Sequence, residues 1–587
     1  MTIWGVFTVA RRHPLALTAC WGTVALVALV TLPFGARSQI QAVPIRFSPS
    51  PLAFTLNSGE TATRYVPETM AGGVAVFDYD NDGRLDIFFV NGAEMPSLRK
   101  SSPKYWNRLF RNEGNRTFTD VTEKAGLTGS GYDTGVAVGD YNNDGYEDLF
   151  IGGVHRNSLY RNNGDGTFTD VTAQAGLDAR DAQYGPLWSV GAVWLDVNND
   201  GNLDLFVTNY LAWDPDKEPV CMVLSNRDYC HPRYYGPTPN RLYLGDGKGG
   251  FTDVSASSGI RAHPGKGMGA AMADFDADGW MDIFVTNDKM ANFLFHNLGG
   301  GRFREIALEA GVAYPANGSN VSGMGSEFRD VDNDGWPDIF FVALPDETFP
   351  LYRNTGKGYF DDVTASSRIE WLSRSMGGYS PMVSDFDNDG WKDLFVSRGH
   401  VQANSGGREV IDQHNSVFRN VGNGRFEAFT GEAGFTAQPP RRHRGSALGD
   451  LDGDGRTDVV VTALMGPAEI WMNDSPARHH WLELKLVGTA SNRNGIGAAI
   501  KVVSKHLVQY NHVTTAVGYA SSSAGPVHFG MGMDDEADLI EIRWPSGMVQ
   551  RLTAVKCDRV LEIREPLPAT KSPGADAPVP AAAPAAR

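Results

Sequence analysis

Short apolar runs recur along the chain, each bounded by a polar, glycine-rich stretch. IFFV follows Asp86, LFIG follows Asp148, LFVT follows Asp204 and VVVT follows Asp458. A second set of small and apolar segments, such as GGVAVF at 72–77 and MGAAMA at 268–273, runs up to the same polar stretches from the other side. Runs this short, β-branched and aromatic, between glycine-rich punctuation, read as strands. The pattern predicts strand, loop, strand. Further on, RLFRNEGNRTFTDVT from Arg108, SLYRNNGDGTFTDVT from Ser158, RLYLGDGKGGFTDVS from Arg241 and PLYRNTGKGYFDDVT from Pro350 predict a second hairpin, with Asn-Gly, Gly-Asp-Gly and Gly-Lys-Gly supplying the positive φ of tight turns.

The polar stretches between the first two strands are copies of one nine-residue loop. They read DYDNDGRLD (78–86), DYNNDGYED (140–148), DVNNDGNLD (196–204), DFDADGWMD (274–282), DVDNDGWPD (330–338), DFDNDGWKD (385–393) and DLDGDGRTD (450–458). A unit therefore holds four short strands in about 60 residues, which suits a propeller blade with loop insertions and is too long for a β-helical turn. The expected fold is all-β: a seven-bladed β-propeller with a calcium loop in each blade, followed by a small β domain.

Positions 1, 3, 5 and 9 of each loop offer side-chain oxygens, position 7 its backbone carbonyl, and glycine at position 6 permits a sharp turn. An all-oxygen, flexible donor set suits Ca2+ better than the tighter octahedron of Mg2+. The candidate ligands are Asp78, Asp80, Asp82, Arg84 and Asp86 in the first loop, and Asp140, Asn142, Asp144, Tyr146 and Asp148 in the second. They continue as Asp196, Asn198, Asp200, Asn202 and Asp204, then Asp274, Asp276, Asp278, Trp280 and Asp282. Asp330, Asp332, Asp334, Trp336 and Asp338 follow, then Asp385, Asp387, Asp389, Trp391 and Asp393, then Asp450, Asp452, Asp454, Arg456 and Asp458. An EF-hand would need a bidentate glutamate at position 12, where Phe89, Ile151, Val207, Val285, Phe341, Val396 and Val461 stand instead. The two asparagines, Asn142 and Asn198, predict weaker binding in their loops. Up to seven Ca2+ ions, one per blade, would bring the net charge from -17 to about -3, so much of the acidity serves ion binding.

That negative balance argues against nucleic acid as a partner. Cys221 and Cys230 lie in one polar stretch and predict a loop disulfide; no second Cys or His cluster at zinc spacing and no CxxCH is present. Arg11 and Arg12 precede an uncharged stretch from Pro14 to Ala36, an export signal that is either cleaved or kept as a membrane anchor. His231, His263, His400, His414 and His443 are scattered and form no Ser-His-Asp pattern, and RRHR at 441–444 reads as a solvated basic loop, although a basic patch for an anionic glycan would look the same.

With its strand-loop-strand repeat, the chain resembles the FG-GAP/VCBS propeller family, whose calcium loops also occur in integrin α-subunits. SNRNGIGAAIKVV from Ser491, GYASSSAGPVHFGMG from Gly518 and DLIEIRWPSGMVQRL from Asp538 resemble the ASPIC/UnbV domain. Propeller followed by this domain is the arrangement of the cartilage acidic protein family, of a bacterial exported type, and the six cysteines of an EGF-like module are absent. The expected organisation is an export segment at 1–45, a propeller at 46–480, a β domain at 481–565 and a Pro/Ala-rich disordered tail at 566–587. The resemblance implies binding or adhesion. The expectation is an exported, periplasmic or cell-surface, non-enzymatic binding module for a protein or glycan partner, touching membrane only through its N-terminal segment. The alternative is an enzyme, a lyase, hydrolase or biosynthetic activity, with its site at the propeller's central channel.

Overall fold

The computed structural model describes residues 44–177, 179–404 and 410–567. The expected export segment and the Pro/Ala-rich tail lie, but for two residues each, outside the described residues. The described chain is all-β with a few helical turns, and among the described residues no helix is long and apolar enough to cross a membrane.

Each aspartate loop joins the first two strands of an antiparallel sheet, and each downstream hairpin supplies the next two. Sheet one contains Val74–Phe77, Asp86–Phe89, Arg108–Asn112 and Phe118–Asp120; sheet two contains Asp133–Gly139, Asp148–Gly153, Asn157–Asn162 and Phe168–Asp170. Five further sheets start at Ser189–Leu195, Gly267–Ala273, Ser326–Arg329, Gly378–Ser384 and His443–Gly449. The seventh takes its outermost strand from the start of the described chain: Phe47–Ser50 pairs antiparallel with Glu469–Asn473. The first strands of successive sheets touch in order, and that of sheet seven touches that of sheet one. The fourth strand ends in a recurring Asp-Val-Thr or Asp-Val-Ser. In sheet one the Asp120 carboxylate accepts the Thr122 N–H and hydroxyl, and Thr122 Oγ1 accepts the Leu109 N–H at 2.9 Å.

The C-terminal region forms two more sheets, one built on His480–Val487 and one on Glu536–Arg543, around its own apolar core of Leu482, Leu484, Ile500, Ile540, Ile542 and Trp544. It belongs with the preceding sheets to one compact unit, and a segment of it packs against the first strands of several sheets. Ser521–Ser523 pairs in parallel with Val74–Phe77. Val136 N–H donates to Ala520 O at 3.0 Å and Ser326 N–H to Gly518 O at 3.2 Å. The Ser380 hydroxyl takes the Tyr519 N–H, and Ser522 and Ser523 hydroxyls take the N–H groups of Val138 and Leu448. The fit is close: a Cβ on Gly325 would stand 2.5 Å from the Gly518 carbonyl carbon.

At the ends of the sheets opposite the aspartate loops, the insertion at 211–240 crosses towards other units. Its hairpin, Cys221–Val223 and Asn226–Asp228, carries the Cys221–Cys230 disulfide. Asp228 accepts the N–H groups of Ala403 and Asn404, and Glu218 accepts the Val66 N–H. The RRHR segment corrects its sequence reading. Arg444 is fully buried, donating to Thr69 O and to His400 O while lying 3.9 Å over the Tyr379 ring, and His443 is buried between Arg398 O and Glu469. These side chains tie loops together in place of facing water, because their partners are carbonyls that would otherwise be orphaned.

Tyr519 is wholly buried with its hydroxyl on Met70 O at 2.8 Å. Tyr519→Ala is expected to cost about 4 kcal/mol in denaturant unfolding; a loss under about 1 kcal/mol would mean that the central segment is not a packed part of the ring.

Candidate metal centres

Each loop is held open by its own backbone. In every loop but the fifth, where Asp330 takes only the Gly335 N–H, the position-1 carboxylate accepts the N–H groups of positions 5 and 6: Asp78 takes those of Asp82 and Gly83, Asp140 those of Asp144 and Gly145, and Asp385 those of Asp389 and Gly390. The position-5 carboxylate accepts the N–H of position 7, as Asp278 does from Trp280 and Asp334 from Trp336. Position 9 is buried in every loop, and in all but the second its two oxygens take two backbone N–H groups, Asp148 accepting only that of Asn162. In the fourth loop Asp282 accepts those of Phe275 and Asn297.

This frame gathers carboxylates. In the first, fourth, fifth and sixth loops, oxygens of positions 1, 3 and 9 lie within 4.8 Å of one another: Asp78, Asp80 and Asp86; Asp274, Asp276 and Asp282; Asp330, Asp332 and Asp338; Asp385, Asp387 and Asp393. One position-3 oxygen is buried without a partner in five loops, on Asp80, Asp276, Asp332, Asp387 and Asp452. A buried, unpaired carboxylate oxygen facing two other carboxylates is costly unless a cation completes it. The asparagine loops solve this differently. The Asn142 amide donates to Asp144 at 2.9 Å and the Asn198 amide to Asp200 at 3.0 Å. Position 5 is drawn partly aside: Asp82 pairs with Arg84 and Arg111, Asp389 with Arg419, and Asp454 with Arg456.

Two asparagine ladders join neighbouring loops. Position 4 has positive φ in all seven loops, and where it is asparagine its amide donates to the position-6 glycine carbonyl of the next loop: Asn81 to Gly145, Asn143 to Gly201, Asn199 to Gly279, Asn333 to Gly390 and Asn388 to Gly455. In the other direction, the asparagine ending the third strand gives its N–H to the position-9 aspartate of its own loop and its amide to the position-2 carbonyl of the preceding loop. Asn112 reaches Leu451 at 2.8 Å, Asn162 reaches Tyr79, Asn297 Val197, Asn354 Phe275, Asn420 Val331 and Asn473 Phe386. These asparagines are functional residues that the motif reading passed over; the signal was the repeated Asn in LFRN, LYRN, LFHN and VFRN.

Burial raises the carboxylates' proton affinity. Asp86 is pushed up to about 8, and Asp140, Asp196 and Asp274 up to about 6, with burial the largest cause in each and partly opposed by backbone N–H groups. Asp148, Asp204, Asp338 and Asp458 are raised further by the same cause. All-oxygen donors, negative and desolvated, fit a hard divalent cation.

A family model described as the FG-GAP-like repeat matches residues 78–151, 140–207, 230–285, 274–341, 330–396 and 404–461. The chain belongs to the FG-GAP repeat family. A second model, described as ASPIC and UnbV, matches residues 488–569 of this FG-GAP protein. Cartilage acidic protein 1 of Homo sapiens is 24% identical over 520 residues, covering 85% of this chain and 73% of that protein. The Mus musculus protein is 26% identical over 520 residues, covering 85% and 74%. Among solved structures, an Agrocybe aegerita lectin recognising non-reducing terminal N-acetylglucosamine aligns at TM-score 0.39 and 17% identity over 68% of this chain and 87% of that one. YCF48 bound to D1 peptide aligns at TM-score 0.39 and 7% identity over 74% and 98%.

Two tests follow from this geometry. The fourth loop has Ala277 at its left-handed position 4, strained and without an amide for Gly335. Ala277→Asn should therefore stabilise the FG-GAP ring by about 1 kcal/mol, read in denaturant unfolding, and a destabilised variant would contradict the ladder. In chelator, the raised carboxylates bind more protons folded than unfolded. Their stabilising contribution is complete below about pH 4 and is lost as pH rises through about 6 to 8. The melting temperature in chelator should thus fall from pH 5 to pH 8, and a flat or rising profile would refute the burial of these groups.

Proposed function

We propose that the seven FG-GAP sheets are blades of a closed seven-bladed β-propeller, spanning 46–480, whose loops take up to seven Ca2+ ions, and that the chain is an exported, non-enzymatic binding module for a protein or glycan. Closure is supported by the order of first-strand contacts, by Phe47–Ser50 completing the last sheet, and by the Asn112 amide on Leu451, which bridges last sheet to first. Ca2+ is supported by the oxygen-only donors and the unpaired position-3 atoms. Export is supported by the Cys221–Cys230 disulfide, a bond kept in oxidising compartments. The relatives that match along 85% of the chain are named for cartilage, an extracellular tissue, which accords with it.

One observation carries the binding reading over the enzymatic one: the centre of the ring is filled. Residues 515–523 hydrogen-bond to the first strands there, where a propeller enzyme would keep its cleft. The histidines are engaged elsewhere, His231 capping its own turn and His263 packed on Phe293 and Phe295. The β domain at 481–565 covers the aspartate loops, with Asn494 accepting the Asp140 N–H and His528 bonded to Asn388. The opposite end carries the disulfide-stapled hairpin, with Met222 and Leu224 exposed on it and Val220 and Tyr234 exposed beside it, the kind of apolar, rigid element on which recognition is built.

The test is binding of the full chain, in Ca2+ and in chelator, to panels of cell-surface proteins and glycans. We expect Ca2+ to raise the melting temperature, and Met222→Ser with Leu224→Ser to weaken the complex about tenfold or more without lowering that temperature. Turnover of a panel member, or wild-type affinity in the hairpin variant, would overturn the reading.

A further inference from the structure

The residue before the one that ends each third strand occupies an equivalent place in all seven units, beside the loop of its own sheet. It is Arg111, Arg161, Leu244, Arg353, Arg419 or Met472 in six units and His296 in the fourth. In sheets one and six the guanidinium reaches the third and fifth aspartates: Arg111 pairs with Asp80 at 2.9 Å and Asp82 at 3.2 Å, Arg419 with Asp387 at 2.7 Å and Asp389 at 2.9 Å. A guanidinium carries donors only and stays protonated, so it neutralises a loop without ligating an ion.

His296 brings different chemistry to the same place. Its Nδ1 lies 3.1 Å from Asp282 Oδ1 and 3.9 Å from Asp276 Oδ2. A ring nitrogen of His296 and one oxygen each of Asp276 and Asp278 lie within 4.8 Å of one another, and Asp276 Oδ1 is buried there without a partner. The imidazole is held edge-on against Phe275, with centroids 5.6 Å apart, so its direction is set by packing. Asp274 and Asp278 also line a cleft of about 920 Å³ between this loop and the C-terminal sheets, which gives ions a route in. Among the seven units only this one places a nitrogen donor from the third strand beside the carboxylates.

Imidazole nitrogen with carboxylate oxygens is the donor set of borderline d-block ions, whereas Ca2+ takes oxygen alone. We propose that the fourth loop is a distinct site for a d-block divalent cation of the Zn2+ class, with His296 as its nitrogen ligand beside Asp276, Asp278 and Asp282. This rests on the reading that the loops bind cations, and it assigns one of them a different metal.

The experiment is calorimetric titration of Zn2+ into the full chain already saturated with Ca2+, for wild type, His296→Leu and His296→Arg. Leucine and arginine stand at the equivalent place in other units, so both variants should fold, which their melting temperatures in Ca2+ verify; if one does not, the other carries the comparison. Wild type is expected to take up one tight Zn2+ that both variants bind at least about 100-fold more weakly. Substituting Co2+ should give paramagnetically shifted imidazole proton resonances in wild type alone. Equal Zn2+ affinity and stoichiometry in wild type and a folded variant would overturn the proposal, with the exposed pairs His480–Asp558 and His506–Asp534 as the alternative sites. A separate Ca2+ titration of the metal-free chain tests the calcium reading, so failure of one is read independently of the other.

Discussion

The ninth aspartate of each loop is the group on which the ring depends. It is buried and desolvated, and in every loop but the second it accepts two backbone N–H groups that belong to different elements, one at the start of the loop and one at the end of the third strand. The asparagine at that strand end then reaches the preceding loop. A single carboxylate therefore aligns its own loop, the third strand and, through the asparagine, the neighbouring unit. On the proposed reading, a cation that neutralises it would act on all three, which would couple ion binding to the stability of neighbouring sheets.

The junctions show how this coupling tolerates sequence drift. Gly245 replaces the strand-end asparagine in the third unit, and Ala277 and Gly453 replace the position-4 asparagine in the fourth and seventh. No junction loses both links. The second and third units keep Asn143 to Gly201, the fourth and fifth keep Asn354 to Phe275, and the seventh and first keep Asn112 to Leu451. That last bond spans 339 positions and joins the ends of the repeat series, where no covalent connection helps. One hydrogen bond is modest in isolation, but repeated round a ring each bond restricts the orientation available to the next.

What the sequence could reveal followed from locality. The loop ligands, the glycine at position 6, the strand pattern and the apolar position 12 are all written within a dozen residues, and each could be read from spacing alone. The asparagine ladders were visible as repeated letters, but their partners lie a whole unit away, so their purpose was not. RRHR failed for the same reason: charge density suggests water, whereas Arg444 is inside because Thr69 and His400 offer carbonyls from distant segments. GYASSSAG could be recognised as a pattern, yet nothing in it announces that its serines accept N–H groups from three different sheets, at Val74, Val138 and Leu448. The small side chains make sense only once the narrow centre is seen, where even a Cβ on Gly325 has no room.

The segment packed against the first strands bears on where the proposed binding function would reside. Serine hydroxyls and the Tyr519 ring replace solvent along the axis, and the aspartate end lies beneath the C-terminal sheets through Arg493, Asn494, His479 and His528. Three of these four bond to residues of the aspartate loops at positions 3 and 4, and Asn494 takes the N–H of position 1, so the cover is registered to the loop backbone itself. On the proposed reading, any change of loop geometry with bound cation would be felt by these C-terminal sheets. At the opposite end the described residues provide the crossing insertion, the disulfide and the apolar hairpin tip. An element that is stapled to itself, anchored through Asp228 to a distant unit and still exposes Val220, Met222 and Leu224 has more constraint than a connecting loop requires. Rigidity combined with exposed apolar surface lowers the entropy lost on association, which supports the proposal of a recognition surface at this end.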